Sequence, residues 1–206
     1  MKAVIYHANA KPRFKQPEDF WEVIVKGYKA NVNSFGIPLV HLTIDGHPGW
    51  GDENYSYPGD VEDVVWNREV CFTQFLKDAP EDVYWFGEPD SELLKPFPEL
   101  AGDLAIVYRG SYPRICPAWR LAKKSALPFF ELILEEFDEN QKRFHGDSVA
   151  FDAAYDKLSD LGVKIELRQY NKYIKKGIGM FVKHHLSFHK LELYERIKSV
   201  QGTAQV

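Results

Sequence analysis

The sequence predicts an α/β fold, a mixed and mainly parallel sheet flanked by helices, and three observations carry that expectation. Short apolar runs such as Ala3-Val4-Ile5-Tyr6 and Val83-Tyr84-Trp85-Phe86-Gly87 have the length and the β-branched or aromatic content of buried strands. A helical pattern separates the first run from the next, Pro38–Ile44, and a β-α-β order feeds parallel strands. The 206 residues, 45% hydrophobic and 15% aromatic, suit a single domain with a real core.

Each element follows from local pattern. Pro17 opens a helix with Phe20, Ile24 and Tyr28 inward, and Asn33-Ser34-Phe35-Gly36 ends it. A Gly-, Pro-, Asp- and aromatic-rich stretch from Asp45 to Asp60 is expected to be a long loop, of a length typical of lids and binding loops. Asp60 is placed to cap a helix with Val61, Val64, Val65, Phe72, Phe75 and Leu76 on one face. After a proline-rich connection come a strand at Asp103–Tyr108, a tight loop at Arg109–Pro117, and a helix at Leu127–Phe137 with Phe130, Ile133, Leu134 and Phe137 inward. His145-Gly146-Asp147-Ser148 precedes another helix with Ala150, Ala154, Leu158 and Leu161 as its face. Val163–Leu167 and Ile178–Val182 read as closing strands, and a terminal helix follows the run 183–190.

Composition excludes several classes. A net charge of −4 and a pI near 6.0 give no sign of a basic nucleic-acid surface, and leave room only for a local basic patch. Cys71 and Cys116 are too few for a zinc knuckle or a disulfide framework and are expected to be small buried hydrophobes. Ala3–Tyr6 is too short for a signal-peptide core and no stretch has the length of a membrane span, so a cytoplasmic location is expected. No Walker, zinc-finger or Ser-His-Asp pattern is present.

The chemistry concentrates where strands and helices should end. Pro89 cannot continue a central ladder, so Glu88 and Asp90 belong to the turn leaving the strand's carboxyl end, the edge where open α/β sheets bind ligands. Two carboxylates at i and i+2 there can hold a hard divalent cation, and that cation a diphosphate. Asp147 opens a helix, and the run Lys183-His184-His185-Leu186-Ser187-Phe188-His189-Lys190 adds imidazoles and ammonium groups suited to metal and phosphate.

In this order the residues resemble the GT-A-fold (nucleotide-diphospho-sugar transferase-like) glycosyltransferases, in particular the retaining bacterial enzymes that use UDP-sugars. Glu88-Pro89-Asp90 stands where that family has Asp-x-Asp, Gly146-Asp147-Ser148-Val149-Ala150-Phe151-Asp152 where it has Asp-Gln-Asp-x-x-Asn, and His184, Ser187 and Lys190 where it has His, Gly and Lys. The resemblance spans Ala3 to Lys190 and departs from the family at Glu88, Ser148, Ser187 and Leu191-Glu192. It implies Mn2+ or Mg2+ held by Glu88, Asp90 and His184, with Lys190 on the leaving diphosphate and Asp147 on sugar hydroxyls. It also implies that Tyr6, His7, Ala8 and Asn9 line the nucleotide, and that the long loop closes over donor or acceptor through His47, Trp50, Tyr55 and Tyr57. The acceptor could be a glycan, a lipid-linked sugar, a protein or a hydroxymethylated DNA base.

Neighbouring readings fit less well. Sugar-nucleotide pyrophosphorylases need a Gly-rich loop after the first strand, and His7-Ala8-Asn9-Ala10-Lys11-Pro12-Arg13 has no glycine. A nuclease reading from Asp90 and Glu166-Leu167-Arg168 lacks the close Glu-x-Lys. A non-catalytic nucleotide-sugar-binding protein and a metal-dependent phosphodiesterase are the alternatives in other classes.

Overall fold

The computed structural model describes residues 1–8, 16–44, 48–60, 63–111, 113–137, 146–169, 181–185 and 189–203. Strands β1 (Lys2–Tyr6), β2 (Leu39–Ile44), β3 (Glu53–Tyr57), β4 (Tyr84–Gly87), β6 (Leu104–Tyr108), β7 (Ile115–Ala122) and β8 (Ile165–Gln169) form a seven-stranded sheet in the order β3-β2-β1-β4-β7-β6-β8. Pairing is parallel throughout, except that β7 runs antiparallel to both β4 and β6. A separate two-stranded ribbon joins β5 (Ser91–Leu93) to β9 (Val182–His184).

Alternation along each strand divides the core between the two faces of the sheet. Val4 and Tyr6 point to the face covered by α2 (Val64–Asp78), α3 (Leu127–Glu135) and α4 (Gly146–Asp156). Ala3 and Ile5 point to the other, covered by α1 (Phe20–Asn33) and the ribbon. The last helix, α5 (His189–Thr203), packs on the outside of α1 through Leu193 and Tyr194 against Phe20, Val23 and Ile24. Gly27 makes that packing close, because a Cβ there would lie 2.4 Å from Ile197 Cδ1. Tyr194 Oη donates to the Asp19 carboxylate at 2.7 Å and Lys198 pairs with it at 2.9 Å, so α5 is tied to the start of α1.

The expected elements hold at β1, α1, β2, β4, β6, α3, α4 and α5, and Gly36 takes the left-handed φ of +72° that lets the chain leave α1. Cys71 and Cys116 are free and buried, as expected. Four expectations change. The stretch 45–60 is not wholly loop: Glu53–Tyr57 pairs with β2 as an edge strand, and the Asp52 carboxylate accepts the Leu39 N–H at 2.8 Å to hold the approach. Polar residues alternating with tyrosines conceal such a strand from a hydrophobicity pattern. Asp60 does not cap α2; its carbonyl accepts the Asp63 N–H at 3.0 Å, and the helix begins at Val64. β7 starts at Ile115, inside the expected loop, and absorbs Pro117 where its register with β6 shifts between Ile106 and Val107. Val182 belongs to the ribbon rather than to the main sheet. His47, Val61 and most of 178–182 lie outside the described residues.

Candidate active site

β1 and β4 are parallel neighbours, so their carboxyl ends open side by side. Beyond β4 the chain turns at once, the Ser91 N–H donating to the Glu88 carbonyl at 3.1 Å across Pro89 and Asp90. Gly87 keeps this corner tight, since a Cβ there would lie 3.2 Å from Tyr28 Oη and Trp85 Nε1. A cavity of about 180 Å3 lies over this edge, walled by Tyr6 at the end of β1, His7 and Ala8 just beyond it, Arg68 from α2, the Glu88-Pro89-Asp90 turn and Lys190 from α5. Trp21 walls it too, and the same indole borders an open cleft of about 640 Å3 shared with Trp50, Pro48, Glu18, Asp19 and Glu22. A more apolar cavity of about 340 Å3 between α1 and α5 meets Pro89 but brings together no comparable set of charged groups.

Arg68 organises the electrostatics. Its guanidinium reaches Glu69 at 2.8 Å, Glu88 at 3.1 Å and Asp147 at 2.5 Å. Burial acts to lower its pKa, but Glu69, Asp147 and Glu88 outweigh burial and raise it. Arg68 is therefore a permanent cation facing the cavity. Lys190 forms an ion pair with Asp90, whose carboxylate is almost wholly buried at 3% exposure. Tyr28 brings its hydroxyl against Gly87 beneath the turn, and its phenol pKa is raised by burial and then by Asp90.

His7 is buried in an aromatic cluster, its ring centroid 5.0 Å from Trp21 and 5.6 Å from Trp50. Trp50 packs on His41 at 5.7 Å, and its backbone N–H donates to His41 Nδ1 at 2.9 Å. Trp50 thus belongs to a packed wall. Tyr6 is buried beside the cavity, and burial pushes its phenol pKa well up.

Among the sequence candidates, the structure gathers Tyr6, His7, Ala8, Glu88, Asp90 and Lys190 around one cavity, with Asp147 joined to it through Arg68. Asn9 lies outside the described residues. β9 sets His184 opposite Ser91, and the next residue donates its N–H to the Asp90 carbonyl at 3.0 Å; the His184 side chain is not among those described. The exposed His189 pairs with Glu192 on its own helix at 3.0 Å.

A divalent cation implied by the resemblance can be tested against these donors. Mg2+ is commonly held by one or two carboxylates together with substrate phosphate, and Glu88 and Asp90 both face the cavity, so the donor type fits. Among the described residues no group of three or more His, Cys, Asp or Glu side chains is placed to hold a metal. Arg68 was not foreseen from the sequence. The signal was present: it stands four residues after Val64 and four before Phe72, a charge within the apolar stripe of α2.

The fold has close counterparts among solved structures. A glycosyltransferase involved in glycosylation of the major capsid of PBCV-1 aligns with a TM-score of 0.62 at 12% identity, covering 96% of this chain and 98% of that one. A putative glucose-1-phosphate thymidylyltransferase from Bacillus anthracis gives 0.57 at 9% identity, with 95% and 94% covered. The inositol-1-phosphate CTP transferase from T. maritima gives 0.51 at 11%, with 97% and 96% covered. No protein-family model and no curated sequence matches the chain. Among the described residues no helix is long and apolar enough to cross a membrane. The chain shares the mainly parallel α/β fold of these three transferases, with its charged cavity at the carboxyl edge of the sheet.

Proposed function

We propose that the chain is a metal-dependent glycosyltransferase that moves a sugar from a nucleotide donor, a UDP-sugar, to a hydroxyl acceptor. The observation that carries this reading is the convergence of β1, Arg68, the Glu88-Pro89-Asp90 turn and Lys190 on one cavity at the carboxyl edge of the sheet. The nucleoside takes the adjoining cleft bordered by Trp21 and Trp50, aromatic side chains of a kind that packs against a base. The diphosphate enters between Arg68 and Lys190, and Lys190 turns from Asp90 to a phosphate oxygen. Asp147 accepts from sugar hydroxyls and Arg68 donates to them.

The bond from the anomeric carbon to the diphosphate oxygen breaks, its electron pair leaving with the nucleoside diphosphate. The acceptor oxygen forms the new bond and releases its proton. Lys190 neutralises the leaving group, which lowers the barrier only as charge develops. Mn2+ or Mg2+ held by Glu88, Asp90 and His184 would add positive charge to the same diphosphate.

A matched ligand at about 100 Kd adds about 2.7 kcal/mol to stability, or roughly 5–10 °C of Tm for a chain of this size. UDP with Mn2+ should therefore raise Tm far more than UDP with EDTA, and Asp90→Asn should erase the difference. A UDP response that ignores both metal and substitution removes the metal assignment. No response to any nucleotide or nucleotide-sugar sinks the reading, and pyrophosphate release from a nucleoside triphosphate turns it to nucleotidyl transfer.

With water as acceptor, slow release of sugar from one preferred donor is expected. Asp147→Asn should depress that hydrolysis by about tenfold or more while UDP affinity stays within about twofold, because the residue is assigned to sugar rather than nucleotide. Equal hydrolysis by the variant would leave Asp147 only its ion pair with Arg68.

A further inference from the structure

Behind the cavity lies a second guanidinium that touches nothing in it. Arg120 sits in β7 with no exposure, and its Nη2 lies 3.0 Å from Glu69 Oε1 and 2.8 Å from Oε2. Glu69 Oε1 in turn accepts from Arg68 Nε at 2.8 Å. The order is Arg120–Glu69–Arg68, running from the core of the sheet to the cavity wall.

The setting of Arg120 is unusual for a residue that serves stability alone. Its guanidinium carbon lies 4.6 Å from the Phe151 ring centroid, 4.9 Å from Phe130, 5.0 Å from Phe72 and 5.8 Å from Phe86. Its Nε and Nη1 have no hydrogen-bond partner among the described residues. Apolar side chains of similar size often replace a buried ion pair without loss of stability, so a pair with N–H groups left over is weakly explained by folding. Four rings packed round a planar cation do fix its position, and through it the position of Glu69.

The consequence falls on Arg68. Three acids compete for its fork: Glu69, Glu88 and Asp147. Glu69 on its own would draw the guanidinium back into α2. With Glu69 shared by Arg120, Nε stays on Glu69 while Nη1 and Nη2 stay directed at Glu88 and Asp147, at the cavity.

We propose that Arg120 is a positioning residue for transfer, acting through Glu69 to hold Arg68 aligned with the donor sugar and diphosphate. The inference rests on the glycosyltransferase reading for its catalytic consequence, but not for its structural one.

The test uses Arg120→Met, Arg120→Lys and the double variant Arg120→Met/Glu69→Leu in the full chain. The double variant removes both buried charges of the pair, so it is expected to fold even where Arg120→Met alone does not. Donor hydrolysis, UDP binding with Mn2+, and the 15N NMR order of the Arg68 Nε–H are read for each folded variant. In the double variant kcat should fall on the order of tenfold to a hundredfold, as for a misaligned catalytic group, and by a larger factor than UDP affinity, which Lys190 still supports. Arg120→Lys, which keeps a charge for Glu69, should recover part of the loss. A purely structural role would move melting and leave the split between kcat and binding unchanged. A folded double variant with unaltered kcat overturns the inference. Failure of the unsubstituted chain to turn over any donor overturns the functional reading instead. In that case Arg68 order decides the positioning role: lost order in the double variant supports it, and unchanged order rejects it.

Discussion

Replacing Arg68 by alanine should cut donor turnover by about a hundredfold or more and lower Tm by roughly 10 °C. Removing the guanidinium takes the ion pair from Asp147, whose side chain is 11% exposed, and from Glu88, and leaves Glu69 to Arg120. Breaking a buried pair by deleting one partner costs about 3–5 kcal/mol, and each kcal/mol is worth about 2–4 °C in a chain of this length. Loss of one preorganised donor at a leaving group or sugar costs about a hundredfold to a thousandfold in kcat. Arg68→Lys separates the two effects. An ammonium preserves the charge but cannot fork to three carboxylates, so it should restore most of the Tm and little of the turnover. Circular-dichroism melts and donor hydrolysis on the same samples check both. An alanine variant that melts with the unsubstituted protein would show that the network carries no net stability, and one that turns over donor normally would remove Arg68 from the site.

Acidification from pH 6.5 to 4 should destabilise the fold through His41. This imidazole is wholly buried, and burial lowers its pKa from 6.5 to about 4. The unfolded chain therefore binds a proton near pH 6.5 that the folded chain refuses until about pH 4. Stability owed to neutral His41 is whole above pH 6.5 and is lost as pH falls through that window. The loss is about 3 kcal/mol, on the order of 1.4 kcal/mol for each unit between the two values. Geometry agrees with the sign: Nδ1 accepts the Trp50 backbone N–H at 2.9 Å, and a protonated ring has no lone pair for that bond. His41→Phe should flatten the fall of the urea midpoint between pH 6.5 and 4. An equally steep fall in the variant would assign the acid response to other groups.

Much of the fold was legible because local rules and tertiary packing agree there. β1, β2 and β4 are apolar runs buried on both faces, and α1 shows its inward face at Phe20, Ile24 and Tyr28. β3 was not legible, because an edge strand buries little and its pairing with β2 depends on where β2 lies. β9 was displaced in the reading because three residues pairing with Ser91–Leu93 leave no periodic trace.

By itself the sequence determined that a strand would end at Gly87 and throw Glu88 and Asp90 onto a turn, since a proline cannot donate to a central ladder. It also pointed to acids, imidazoles and lysines at element ends. Only the tertiary structure decided which of these meet. Lys190 reaches Asp90 because α5 packs on α1 across Gly27, and Arg68 reaches Asp147 because α2 and α4 cover the same face of the sheet. Arg68 and Arg120 read as charges out of place in apolar patterns. Burial is not encoded by spacing alone, so the ion network that makes both tolerable appears only once α2, β7 and α4 are packed together.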